Sequence, residues 1–127
     1  MRRRFMAILT DRLSQLMNQR AKWLSKRTQL IIENISNSEL KNAKRKDLEP
    51  FTKILNKSKN AHTLTGRRIH DVKNFQITDS DIITSTTEIS REMEMLNLTR
   101  ITADHDGLMS VIKNFHRMYR TILAKGG

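Results

Sequence analysis

Phe5, Leu9, Leu13, Leu16, Met17, Leu24, Ile31 and Ile35 recur at steps of three, four and seven residues. That is the period of one face of an α-helix, and it predicts a single helix from about residue 4 to residue 35. At 1.5 Å per residue this helix is about 45–50 Å long, more than a 127-residue domain needs for its own core. A chain committed to such an element has little left for a β architecture. One proline and four glycines are too few for the many tight turns of an all-β fold.

The remaining segments are also expected to be helical. Ser36 to Glu39 reads as a capping box opening a short, very basic helix through Lys46. Pro50 suits the first turn of a third helix with Phe51, Ile54 and Leu55 inward. The stretch from His62 to Thr78, broken at Gly66, reads as a connector with one helical turn. Ser80 is expected to cap a helix whose inner face is Ile82, Thr86, Ile89, Met93 and Leu96. Thr102 is expected to cap the last helix, with Leu108, Val111, Ile112, Phe115, Tyr119 and Ile122 inward and Gly126-Gly127 following. The fold class expected is all-α: one domain spanning 1–127, a helical bundle of four to five helices with one long N-terminal helix.

Hydrophobic residues make up 37% of the chain and aromatics 5%, so the core is modest and built from Leu, Ile and Met. With no cysteine, disulfides and thiolate metal sites are excluded, and a reducing compartment suits the chain. The start, Met1-Arg-Arg-Arg-Phe-Met-Ala-Ile-Leu, has the basic opening of a signal peptide. However, its apolar run from Phe5 to Leu9 is too short, and Asp11 and Arg12 interrupt it. No stretch approaches the roughly 18 apolar residues of a membrane span. A cytoplasmic location without a membrane partner is the expectation.

Charge is unevenly spread. Residues 1–60 hold 15 Lys/Arg against 5 Asp/Glu, an excess of ten out of the chain's net +11. That much like charge repels itself and contributes nothing to folding; it normally serves to meet a polyanion. In the last helix Lys113, Arg117 and Arg120 share one face, almost opposite Val111, Phe115 and Ile122, with no acidic residue three or four positions away. This row either faces solvent or follows a phosphate backbone. Lys41, Lys44, Arg45 and Lys46, with Lys53, Lys57 and Lys59 beyond, form a second basic element suited to positioning contacts rather than base readout. On the long helix Arg20 and Arg27 fall inside the apolar stripe, where a charge is costly unless paired or solvated. Three readings stand open: the helix projects past the bundle; Glu33, Glu88 or Glu92 reaches each arginine; or the stripe lines a groove where arginine meets phosphate and Trp23 stacks on a base. Arg2, Arg3, Arg4, Arg12, Lys22 and Lys26 flank the same helix.

Catalytic constellations are missing. His62, His70, His105 and His116 have no metal-ligand spacing, and Asp104-His105-Asp106 reads as acidic capping of a helix N-terminus. There is no glycine-rich phosphate loop and no nucleophile elbow. No enzyme activity, metal, cofactor or small-molecule substrate is expected. No zipper, helix-turn-helix or RNA-recognition sheet is recognisable either, which leaves backbone binding without base readout.

The closing segment, Leu108-Met-Ser-Val-Ile-Lys-Asn-Phe-His-Arg-Met-Tyr-Arg-Thr-Ile-Leu-Ala-Lys-Gly-Gly127, is similar to the aromatic-and-basic last helix of the small, all-helical subunits of CRISPR effector (Cascade-like) complexes. The resemblance covers about twenty residues, and the long arginine-rich first helix departs from the pattern. It implies two or more copies stacked along a guide-RNA complex. Their basic faces would hold the displaced non-target DNA strand or the guide–target duplex while pairing reads sequence. The residues concerned would be Arg20, Lys22, Lys26, Arg27, Lys41, Lys44, Arg45, Lys113, Arg117 and Arg120. The alternatives are a ribosomal or organellar RNA-particle subunit, and a helical adaptor or chaperone that meets an acidic partner through Met6, Leu9, Leu13 and Met17.

Overall fold

The computed structural model describes residues 2–64 and 75–125. Two long helices dominate: α1, Arg2–Asn37, and α3, Arg91–Lys125. Between them come strand β1 (Lys44–Leu48), helix α2 (Phe51–Leu64), a single 3-10 turn at Asp79–Asp81, and strand β2 (Ile82–Glu88). The long N-terminal helix is as expected, and so is α2 behind Pro50, with Ile54 buried and Phe51 and Leu55 half-buried. Gly66 and most of the expected connector lie outside the described residues.

Two expected helices are strands instead. Ser36–Lys46 turns after α1 and enters β1, and Asn42 in that turn sits at φ 66, a left-handed conformation that halts helical propagation. Ile82-Ile-Thr-Ser-Thr-Thr-Glu88 is rich in β-branched residues, stiff at χ1 and better packed on a pleat than on a helix. The strands pair antiparallel, Lys46 opposite Thr84 and Leu48 opposite Ile82, with an irregularity between Lys44 and Lys46. The architecture among the described residues is thus three helices and a two-stranded sheet rather than a bundle of four or five. The last helix also starts eleven residues earlier than Thr102, at Arg91, with Glu92 and Glu94 in its first turn at the positive end of the helix dipole. Thr102 lies inside the helix and donates its hydroxyl to Leu98 O at 2.8 Å. Asp104, His105 and Asp106 therefore lie mid-helix and cap nothing.

The pairing of the long helices follows from where polar groups meet. Asn34, near the end of α1, lies 3.4 Å from Glu94 at the start of α3. From there half-buried positions continue at helical spacing down both helices, through Thr28, Ala21 and Ser14 on one and His105, Ile112 and Phe115 on the other. The two helices therefore lie antiparallel. The core forms where α1 residues Trp23, Leu24, Leu30 and Ile31 meet Ile101 of α3 and a head made of Leu48, Ile54 and Phe75. Three aromatic rings clasp it, with Trp23–Phe51 centroids at 6.4 Å and Phe51–Phe75 at 5.8 Å, both edge-to-face.

The head occupies only half of the helix pair. Trp23 and Leu30 are 7% and 2% exposed, whereas Leu16 and Leu9, one and two heptads before Trp23 on the same face, are 41% and 46% exposed. Likewise Val111, Tyr119 and Ile122 of α3, expected inward, are exposed. The free ends of α1 and α3 form an arm that extends beyond the core.

Candidate nucleic-acid interface

The cations predicted to carry function divide into two groups. Arg20, Arg27 and Arg45 are drawn into the fold. Arg27 Nε donates to Asp47 Oδ1 at 3.2 Å, and its guanidinium lies 5.5 Å from the Trp23 ring centroid. Arg20 lies over Trp23 at 4.6 Å and over Phe51 at 5.3 Å, with no carboxylate partner among the described residues. Neither Glu33, Glu88 nor Glu92 reaches either arginine; Asp47 of β1 is the partner of Arg27. Trp23 is buried, with Arg20 and Arg27 against its ring and its Nε1–H donated to Glu49 O at 2.8 Å. It therefore presents no open face to a base, and the expectation that Trp23 stacks on one is corrected.

Arg45 bridges two carboxylates: its Nη2 donates to Asp47 Oδ2 at 3.0 Å and its Nε donates to Glu94 Oε1. Burial by itself lowers the Arg45 pKa. The hydrogen bond and charge of Glu94, with those of Asp47, outweigh it and hold the pKa above its usual value. Glu94 is wholly buried, and Asn34 reaches its other oxygen. Asn34 also clamps the backbone of Lys46, donating to Lys46 O at 2.7 Å and accepting from Lys46 N–H at 3.0 Å. The outer edge of β1 is thereby satisfied by an amide side chain where a third strand would otherwise pair.

Glu94 and Asn34 were not among the functional residues predicted. The signal for Glu94 is its phase: it precedes Ile101 and Leu108 at seven-residue steps, a carboxylate inside an apolar stripe facing arginines inside another.

The second group stays on the surface. Arg12, Lys22, Lys41, Lys44, Lys46, Lys113, Arg117 and Arg120 are exposed and Lys26 is half-buried. Lys44 and Lys46 bracket the inward Arg45, so β1 sends its lysines outward and its ion pair inward. Lys22 and Lys26 lie one turn apart on the side of α1 away from the core. Lys113, Arg117 and Arg120 occupy the α3 face turned away from Ile101 and Ile112. No described carboxylate lies within ion-pair distance of Lys22, Lys26, Lys41, Lys44, Lys46, Lys113, Arg117 or Arg120. By contrast Lys53 pairs with Glu49 at 3.1 Å and Lys57 with Asp81 at 3.5 Å, so α2 adds fewer uncommitted charges than its lysine content suggests.

Among the described residues no group of three or more His, Cys, Asp or Glu is placed to hold a metal ion, and no helix is long and apolar enough to cross a membrane. No protein-family model, no curated protein and no solved structure matches the chain.

Proposed function

We propose that this chain is a non-catalytic subunit that holds a nucleic-acid backbone, without base readout, inside a larger ribonucleoprotein. The observation that carries the reading is the sorting of cations. Arginines that could close on internal carboxylates do so, while eight cations on α1, the β1 region and α3 have no acidic neighbour among the described residues. A row of uncommitted cations repeating each helical turn matches phosphates, which bind Lys and Arg mainly by charge and release counterions.

The finer reading is that the chain serves as the small subunit of a CRISPR effector complex, with DNA non-target strand or guide–target duplex as the ligand and copies of itself among its neighbours. It rests on the closing helix and on the same exposed row, Lys113, Arg117 and Arg120. Titration of the full chain against single-stranded DNA at several salt concentrations tests the binding. Affinity should fall steeply and linearly on a log–log plot, and an affinity indifferent to salt would refute it.

A further inference from the structure

The arm carries apolar surface that the fold does not use. Leu9, Leu13 and Leu16 on α1 are 46%, 43% and 41% exposed; Val111, Met118 and Ile122 on α3 are 56%, 64% and 52% exposed. The α1 set continues the face that the head covers further along the helix, since Leu9, Leu16, Trp23 and Leu30 are spaced by seven. At 100° per residue on an antiparallel partner, Val111, Met118 and Ile122 fall on the same flank of α3. Together they line a shallow groove on the head side of the arm, opposite the face that bears Lys113, Arg117 and Arg120. Residues 2–16 extend over about 22 Å at 1.5 Å per residue, a length that accommodates four turns of a packed helix.

We infer that this groove is a docking site for an amphipathic helix with acidic flanks, supplied by a different protein. Charge selects the occupant. Residues 2–16 contain Arg2, Arg3, Arg4 and Arg12 against Asp11, and on α3 Lys125 lies on the flank of Val111 and Ile122, with no acidic residue in 108–125. Arg12, between Leu9 and Leu16, flanks the stripe on the side away from α3. A second copy would bring the same excess of positive charge against itself, whereas glutamates beside an apolar seam complement it. Geometry disfavours an anionic lipid surface, because the head rises on the groove's own side and blocks a flat approach. The groove would take the third helix as the head takes Trp23 and Leu30, apolar knobs between two helices with charges at the rim. The inference stands on this face alone and not on nucleic-acid binding.

The test uses the full chain and a labelled synthetic peptide about 20 residues long, with leucine at every third and fourth position and glutamate at the positions flanking them. Fluorescence anisotropy should show binding that weakens at least tenfold when the peptide is scrambled at constant composition or when lysine replaces glutamate. Leu9→Ser with Leu16→Ser, and separately Met118→Glu, should each weaken it at least tenfold while moving the melting curve far less than Leu30→Ala does, because all three side chains keep two-fifths or more of their surface in solvent. Equal binding of the scrambled peptide would reduce the effect to bulk charge and overturn the inference. So would a dimer by sedimentation equilibrium that Leu9→Ser with Leu16→Ser dissociates, or tighter, variant-sensitive binding to phosphatidylglycerol vesicles. No nucleic acid enters this experiment, so its failure leaves salt-dependent DNA binding to stand or fall separately.

Discussion

Glu94 shows how much one buried carboxylate organises. It neutralises Arg45 and meets Asn34, and through them it holds β1 against both long helices. Glu94→Ala would leave Arg45 with Asp47 alone and open a polar gap in the core. Since Arg45 keeps some exposure to solvent, the expected loss is about 2–3 kcal/mol in urea unfolding, below the range for a fully buried pair. Replacing both partners with apolar residues, Glu94→Leu with Arg45→Met, should cost less than Glu94→Ala alone, because no orphaned charge remains. Arg45 itself stays protonated at any pH where the fold would be studied, since its partners raise an already high pKa. Asn42 is a second residue whose role is conformational. At φ 66, Asn42→Gly should be near neutral and Asn42→Val should destabilise by about 1–2 kcal/mol, as thermal unfolding would read.

At the scale of elements, α1 is one helix doing two jobs along a single stripe. Leu30→Ala, at a 2% exposed position packed in the core, should cost about 2–4 kcal/mol in urea unfolding. Leu9→Ala, three heptads earlier at 46% exposure, should cost less than about 1 kcal/mol, since nearly half of its surface stays in water. A helix continuous in sequence is thus discontinuous in energy, and the change falls where the head stops. The contacts of β1 explain why a two-stranded sheet persists here. Alone it would be marginal; it survives because Asn34 clamps one edge and Leu48 anchors its end in the core.

At the scale of the whole molecule, charge is partitioned rather than merely abundant. The back of α3 carries the uncommitted row, the head carries lysines beside an internal ion-pair network, and the arm's other flank is apolar. Lys113→Glu, Arg117→Glu and Arg120→Glu together should weaken single-stranded DNA binding for all sequences alike. The log–log salt slope should fall by about 2, at roughly 0.7 for each phosphate that the variant no longer neutralises. Arg27→Gln should act the other way, lowering stability by removing the charge that Asp47 faces while leaving that slope unchanged, because its guanidinium is turned inward.

The periodic apolar residues from Phe5 to Ile35 were enough to place α1, because helical period is a local property and no glycine or proline interrupts it. Pro50 and the apolar residues after it placed α2 for the same reason. The strands were legible only in part: the β-branched run at Ile82–Thr87 carries a strand signal, but Lys44–Leu48 is lysine-rich and becomes a strand through Asn34 and β2, which are distant in sequence. Which arginines stay exposed and which face carboxylate was not legible at all. Arg20 and Arg27 occupy the same phase as the leucines around them, and only the approach of Asp47 and of the aromatic rings from other elements decides where their charge is satisfied.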